Sequence, residues 1–211
     1  MHNYSNLLRL MLVPLLLAAC TTETYDSGDG TYSYLTGELV VAHATGKNSV
    51  DYVLTDDGDS LRMPSDFTFS SVAKADTFYR GQLYYSKVGD NQAEPLAFGV
   101  IPTLPVYPLE RIREMKSDPV RFESVWKAKT KPYVNICFYA MTGTIDGETA
   151  SQTVAIAQNG DTLTLYHDQN DVPEYYSTRI FASIPFSYID KDSFLLRINT
   201  YDGWKEFRMG K

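Results

Sequence analysis

The sequence predicts an all-β protein: a small barrel in its first half, an antiparallel β-sandwich in its second, and one short helix between them. Three observations carry this. Short runs alternate apolar and polar residues with period two, as in Val50-Asp51-Tyr52-Val53-Leu54 and around Phe194, Leu196 and Ile198. Turn clusters separate the runs, Asp56-Asp57-Gly58-Asp59 and Asn159-Gly160-Asp161 being the strongest. Helical periodicity occurs once, in Pro108 to Lys116, with apolar residues at 109, 112 and 115.

The first half opens with a β-prone run, Tyr32 to Ala44, that puts Leu35, Leu39 and Val41 on one face and is interrupted by Gly37. Val50 to Leu54 follows, and Leu61-Arg62-Met63 returns from the acidic turn. Asp76 to Val88 is a second long strand, with Gly81 near its middle, and Pro95 to Ile101 is a third. Long strands broken by single glycines suit the curvature of a small closed barrel. Pro108 fits the first turn of the helix, and Ser117-Asp118-Pro119 stops it. Tyr133 to Met141 then places Val134, Ile136, Phe138 and Ala140 on one face. Gln152 to Gln158 points Val154 and Ile156 inward, and Thr162 to His167 buries Leu163 and Leu165. Arg179 to Tyr188 offers Ile180, Ala182, Ile184 and Phe186, and Trp204 to Met209 closes the sheet after Asp202-Gly203. Closely spaced strands of this kind form sandwiches.

The N-terminus carries a different message. Arg9 is the only full charge before Glu23, and Leu10 to Ala19 is apolar apart from Pro14. The run is too short for a finished membrane helix and suits a secretory leader. It ends Leu17-Ala18-Ala19-Cys20, which resembles the lipobox of bacterial lipoproteins. That resemblance implies cleavage between Ala19 and Cys20 and acylation of Cys20, holding the protein to a membrane with two or more chains. Thr21 to Gly30 is then a polar tether. The expected organisation is a leader over 1–19, a tether over 20–31, a barrel domain over 32–116 and a sandwich domain over 117–211. The expected location is the cell envelope, by lipid anchor at the outer membrane, facing the periplasm or the cell surface.

The chain has 211 residues, 26 acidic against 19 basic side chains, and a net charge of -7. Such a balance argues against a nucleic-acid partner. Beyond the leader its histidines are His43 and His167, both within predicted strands. There is no His-Glu-x-x-His, Cys-x-x-Cys, phosphate loop or Gly-x-Ser-x-Gly elbow, so no catalytic residue, metal ligand or cofactor site is assigned. A serine triad would have to use His43 or His167 as its base, and no pair of carboxylates for sugar hydrolysis is singled out. The oxygen-rich turns at Asp56–Asp59 and Asp168–Asp171 lack a full calcium-loop spacing and read as solvated hairpins. Cys137, inside a predicted strand, reads as a buried inert thiol.

The tyrosines are the more suggestive group. Tyr84 and Tyr85 in the barrel half, and Tyr175 and Tyr176 in a predicted loop of the second half, are the candidate ligand-binding residues. Tyrosine combines an apolar body with a polar tip, which suits recognition surfaces.

Asp118-Pro119-Val120, Ser124-Val125-Trp126 and Tyr133-Val134-Asn135-Ile136, with Gly37-Glu38-Leu39-Val40-Val41 and Tyr79-Arg80-Gly81-Gln82-Leu83-Tyr84-Tyr85, resemble the NigD-like lipoproteins. The resemblance implies an OB-like barrel followed by a β-sandwich, and an accessory role of the kind suggested for bacteriocin immunity. The reading is therefore a non-enzymatic, lipid-anchored module with an unidentified protein partner. Surface glycan binding is the alternative, and hydrolysis comes third.

Overall fold

The computed structural model describes residues 35–145, 148–149 and 151–211. Ala19, Cys20 and the tether lie outside them. Thr36–Lys211 forms one compact unit with two apolar cores.

The first core belongs to a five-stranded sheet. Its strands are β1 (Thr36–Gly46), β2 (Ser49–Thr55), β3 (Ser60–Arg62), β4 (Thr77–Lys87) and β5 (Ala93–Val100). Their order is β3-β2-β1-β4-β5, all neighbours antiparallel. The two edges meet where Arg62 bridges Gln92 in parallel and the Arg62 N–H donates to the Asn91 carbonyl at 2.9 Å. That contact closes the ring. Two register shifts in β1 and one between β4 and β5 supply the bending. Gly81 is required at the tightest point. A Cβ there would fall 2.4 Å from the Phe98 ring, which packs over the glycine against the core.

In β1 the inward residues are Val40, Ala42 and Ala44. Leu39 and Val41 sit on the opposite phase, so the predicted face of β1 is corrected by one residue. Alanines made the true face look weak, and a one-residue slip exchanges both faces of a strand. Leu39 is nevertheless buried, because its side of β1 turns toward the rest of the molecule. The β3–β4 connection, for which the sequence suggested no role, plugs the barrel. Phe69 and Val72 are buried there, and the connection is held by Asn48 through paired backbone hydrogen bonds of 2.9 and 3.0 Å.

The second core lies between two sheets. The chain enters through β6 (Val106–Pro108) and α1 (Leu109–Ile112). The helix is shorter than predicted and buries no residue, as expected where one turn has little tertiary packing. Next come β7 (Arg121–Lys127), β8 (Tyr133–Thr142), the short pair β9 (Thr144–Ile145) and β10 (Glu148–Thr149), β11 (Thr153–Asn159) and β12 (Thr162–Asp168). β13 (Tyr176–Pro185), β14 (Ser193–Thr200) and β15 (Gly203–Gly210) complete the chain. One sheet has the order β15-β14-β12-β11-β6 and the other β13-β8-β7. The larger sheet is mixed, since β12 runs parallel to β14 and β6 parallel to β11.

The predicted inward residues fill this core. Ile136, Phe138, Ile156, Leu163, Ile184, Phe194, Leu196 and Ile198 are all fully buried. β7 was not predicted, and a register shift between Phe122 and Ser124 breaks its alternation. The junction Ser117–Val120 is stitched across the larger sheet. Asp118 N–H donates to the His167 carbonyl at 2.7 Å, and Val120 N–H to that of Asn199 at 3.1 Å. No helix among the described residues is long and apolar enough to cross a membrane.

Candidate functional site

Period-two alternation sends one face of β13-β8-β7 into the sandwich core and the other outward. The outward set is Trp126 on β7, Asn135 and Cys137 on β8, and Arg179, Phe181 and Ser183 on β13, aligned by the strand register. In an isolated sandwich this face would be wet. Here Asn135, Cys137 and Ser183 are fully buried: Arg80 on β4 reaches over Asn135 and Ser183, and Arg179 lies against Cys137.

Arg80 makes that cover specific. Its guanidinium grips the Asp56 carboxylate at 2.7 and 2.6 Å. It also donates to Ser183 Oγ and Asn135 Oδ1, both at 3.0 Å. Asn135 Nδ2 returns a bond to Asp56 at 2.8 Å, Ser183 Oγ donates to Asn135 Oδ1 at 2.7 Å, and the Tyr133 ring faces the guanidinium at 4.5 Å. Two barrel residues and three sandwich residues thus satisfy one another. A bidentate arginine fixes direction as well as distance, so this network holds the barrel in one orientation on the sheet.

Where the cover ends, a groove of about 390 Å³ opens between barrel and sandwich. Trp126 and Phe181 meet edge to face at 6.4 Å on its sandwich wall. Tyr84 stands on the barrel wall, 39% exposed. Its ring lies across Gly37, its direct partner on β1, where a Cβ would come within 2.9 Å of the ring. A glycine at this spot lets an aromatic ring lie flat on the sheet. Gln82, Glu38 and Asp57 supply hydrogen-bonding groups around the rings.

Arg179 stands at the groove's flank, with its guanidinium 4.6 Å above the Phe181 ring. It pairs with Glu123 through two contacts, Nε to Oε2 at 2.9 Å and a second through Nη2, and its Nε also faces Cys137 Sγ at 3.3 Å. This hydrogen bonding holds the Glu123 carboxyl below its usual range and raises the Arg179 guanidinium further. Burial pushes the Cys137 thiol up despite the nearby arginine, so it is held as a neutral thiol.

The four candidate tyrosines separate into distinct places. Tyr84 lines the groove. Tyr85 is its neighbour in a strand and points the other way, into the barrel core, where it is 3% exposed. Its hydroxyl donates to Glu38 Oε2 at 3.1 Å, so it steadies a groove carboxylate, and burial together with Glu38 raises its pKa. Tyr175 is 75% exposed, beside Gly143. Tyr176 opens β13 rather than sitting in a loop, and it lines a different cavity on that strand's inner face.

The remaining candidates are engaged structurally. His43 Nδ1 contacts Asp51 Oδ1 at 2.8 Å, and its ring stacks on Tyr52. His167 is buried, with Nε2 donating to Gln152 Oε1 at 2.7 Å, and burial lowers its pKa. In the Asp56–Asp59 turn each acid faces a cation: Asp56 meets Arg80, Asp57 meets Lys129 at 2.9 Å and Asp59 meets Lys87 at 2.8 Å. No cluster of His, Cys, Asp or Glu among the described residues could hold a metal ion. Trp126 and Gln82 stand in the sequence only within the segments that carry the family resemblance, and neither they nor Phe181 and Arg179 are predicted there as site residues. The available signal was Phe181, an aromatic on the phase opposite to Ile180, Ala182 and Ile184.

The fold has solved counterparts. A protein described as toxin-related from Parabacteroides distasonis superposes with a TM-score of 0.67 at 17% identity, covering 84% of this chain and 93% of that one. A NigD-like immunity protein from Bacteroides caccae gives 0.62 at 21% identity, covering 83% and 92%. The chain has the NigD-like fold. A protein described as a lipoprotein from Bacteroides fragilis gives 0.59 at 13% identity, covering 83% and 96%. No family model matches the chain, and no curated protein does. The NigD-like counterpart spans both cores, so barrel and sandwich recur together as one architecture.

Proposed function

We propose that this protein is a lipid-anchored, non-enzymatic component of the cell envelope that works as an accessory binding module, taking a protein partner into the groove between barrel and sandwich. The observation that carries the reading is the groove itself. Tyr84, Trp126 and Phe181 present aromatic surface there, beside Gln82, Glu38 and Asp57, in a cleft whose two walls are locked by the Arg80 network. Aromatic anchors on a preorganised surface are what binding sites use. The chain's charge of -7 favours encounter with a basic partner.

The anchor reading rests on Leu17-Ala18-Ala19-Cys20 and is supported by the likeness to a chain described as a lipoprotein. Bacteriocin immunity is supported by the likeness to the NigD-like immunity protein. The non-enzymatic reading is supported by His167, which is buried with its ring nitrogens on the Gln152 amide and the Asp118 carbonyl, and by His43, whose ring lies against Tyr52 and Phe78. Deleting the gene should sensitise cells to a cognate bacteriocin. An unchanged survival curve would remove the immunity version. Radiolabelled palmitate should appear on the parent and be lost from Cys20→Ala.

A second reading is glycan binding, favoured by the pairing of ring faces with planar hydrogen-bonding groups in the same groove. On a glycan array the parent would then show saturable binding that Trp126→Ala abolishes. A blank array would sink it.

A further inference from the structure

The inner face of β13 lines a second cavity, with chemistry opposite to that of the groove. It measures about 380 Å³ and opens at one edge of the sandwich. Register builds it in layers. Tyr176 pairs with Thr142, Thr178 with Ala140, Ile180 with Phe138 and Ala182 with Ile136. Polar tips therefore stand at the outer layer and aliphatic walls at depth, with Leu104 and Val154 facing them from the rest of the sandwich.

The space has a local cause. β13 is the edge strand of its sheet, and β6, at the edge of the facing sheet, has only three residues. The chain leading into β6 pairs with β13 at Ser183, through Pro102 and Leu104, and Ala140 and Ala182 leave room that larger side chains would fill. Four residues of strand separate Thr142 from Phe138, a depth of roughly 13 Å. Dry apolar cavities of about 150 Å³ already take up benzene, so a larger elongated one suits a longer guest.

The lining also says what the guest's head must be. No charged side chain among the described residues lines the cavity. Gln152 is committed elsewhere, its amide nitrogen donating to the Met141 carbonyl and its oxygen accepting from His167. Hydroxyls of Thr142, Thr178 and Tyr176 are what the mouth offers, and they suit an uncharged polar group. An ionised head drawn into such a site would be left without a counter-charge.

We propose that this cavity binds a free single-chain aliphatic amphiphile with an uncharged head group, its tail passing between Ala140 and Ile180 and its head at Thr142 and Thr178. The site is independent of the groove and of the partner assigned to it.

The test uses the full chain carrying Cys20→Ala, so that no acyl chain of its own is present, and the rod-shaped fluorophore diphenylhexatriene as probe. Saturable binding at one site is expected, with displacement by 1-dodecanol at least tenfold better than by laurate at neutral pH. Ala140→Phe, which fills the cavity, and Thr178→Trp, which blocks the exposed mouth, should each weaken the probe at least tenfold while the thermal midpoint is kept. The Thr178 variant keeps the test decisive if the buried substitution does not fold. Absence of saturable binding overturns the proposal, as does binding indifferent to Thr178→Trp. If the acylated parent excludes the probe that Cys20→Ala accepts, the chain's own anchor is the occupant, and the free-amphiphile assignment fails.

Discussion

The two faces of β13 make the most instructive contrast in the molecule. On one face Arg179, Phe181 and Ser183 meet the barrel, and on the other Thr178, Ile180 and Ala182 meet the sandwich core. The same ten residues therefore border a polar, aromatic groove and an apolar cavity. The groove exists because two bodies approach and stop short, held by a buried polar network. The cavity exists where small residues, Ala140 and Ala182, line neighbouring strands at the sandwich edge. Arg80 centres the network beside the groove and does not line the cavity.

Removing Arg80 should separate them most clearly. Arg80→Ala strands Asp56 and Asn135 without their main partner and should cost about 3–5 kcal/mol in chemical denaturation, the usual range for breaking a buried charge pair. The groove should open while probe binding in the sandwich cavity persists. Equal loss of both sites would show that the barrel's cover also shapes the cavity. Gly81→Ala comes next. Its methyl would press on Phe98 and should cost about 1–3 kcal/mol, read from the same denaturation curves, with effects confined to the barrel.

Tyr84 and Tyr85 sharpen the contrast within one strand. Tyr85→Phe deletes one hydrogen bond to Glu38 and should cost about 1 kcal/mol of stability with a modest effect on groove binding. Tyr84→Ala should do the reverse, staying within about 0.5 kcal/mol of the parent in stability while weakening the partner. Isothermal titration beside urea melts would distinguish the two.

Acid should act on the sandwich through His167, with the smallest effect. Burial holds this imidazole below its ordinary value of 6.5, so the unfolded chain binds a proton that the folded chain resists. Stability should therefore fall as pH drops below that ordinary value, until the folded imidazole itself protonates. His167→Gln should flatten this slope in urea midpoints. An unchanged slope would assign acid sensitivity to other groups.

Much of the fold was legible in the sequence, and the exceptions have physical reasons. Strands of the sandwich could be phased because Val134, Ile136, Phe138 and Phe194, Leu196, Ile198 are large and alternate cleanly. β1 was phased one residue off because its true face is Val40 with two alanines, while Leu39 and Val41 are larger and also covered. β7 was missed because a bulge near Glu123 breaks its period. The groove could be glimpsed only through Tyr84. Its other wall depends on the barrel docking over Asn135 and Ser183, and no local pattern encodes which outward face becomes covered. Tyr85 was paired with Tyr84 by adjacency, yet adjacent residues of a strand point apart.

The groove between the modules is the proposed working surface of an anchored accessory protein. Survival under a cognate bacteriocin tests it, in deletion cells given back either the parent or a folded Tyr84→Ala/Trp126→Ala variant. The parent should restore survival, and the double variant, equally acylated and equally abundant, should not. Full rescue by the double variant would contradict it.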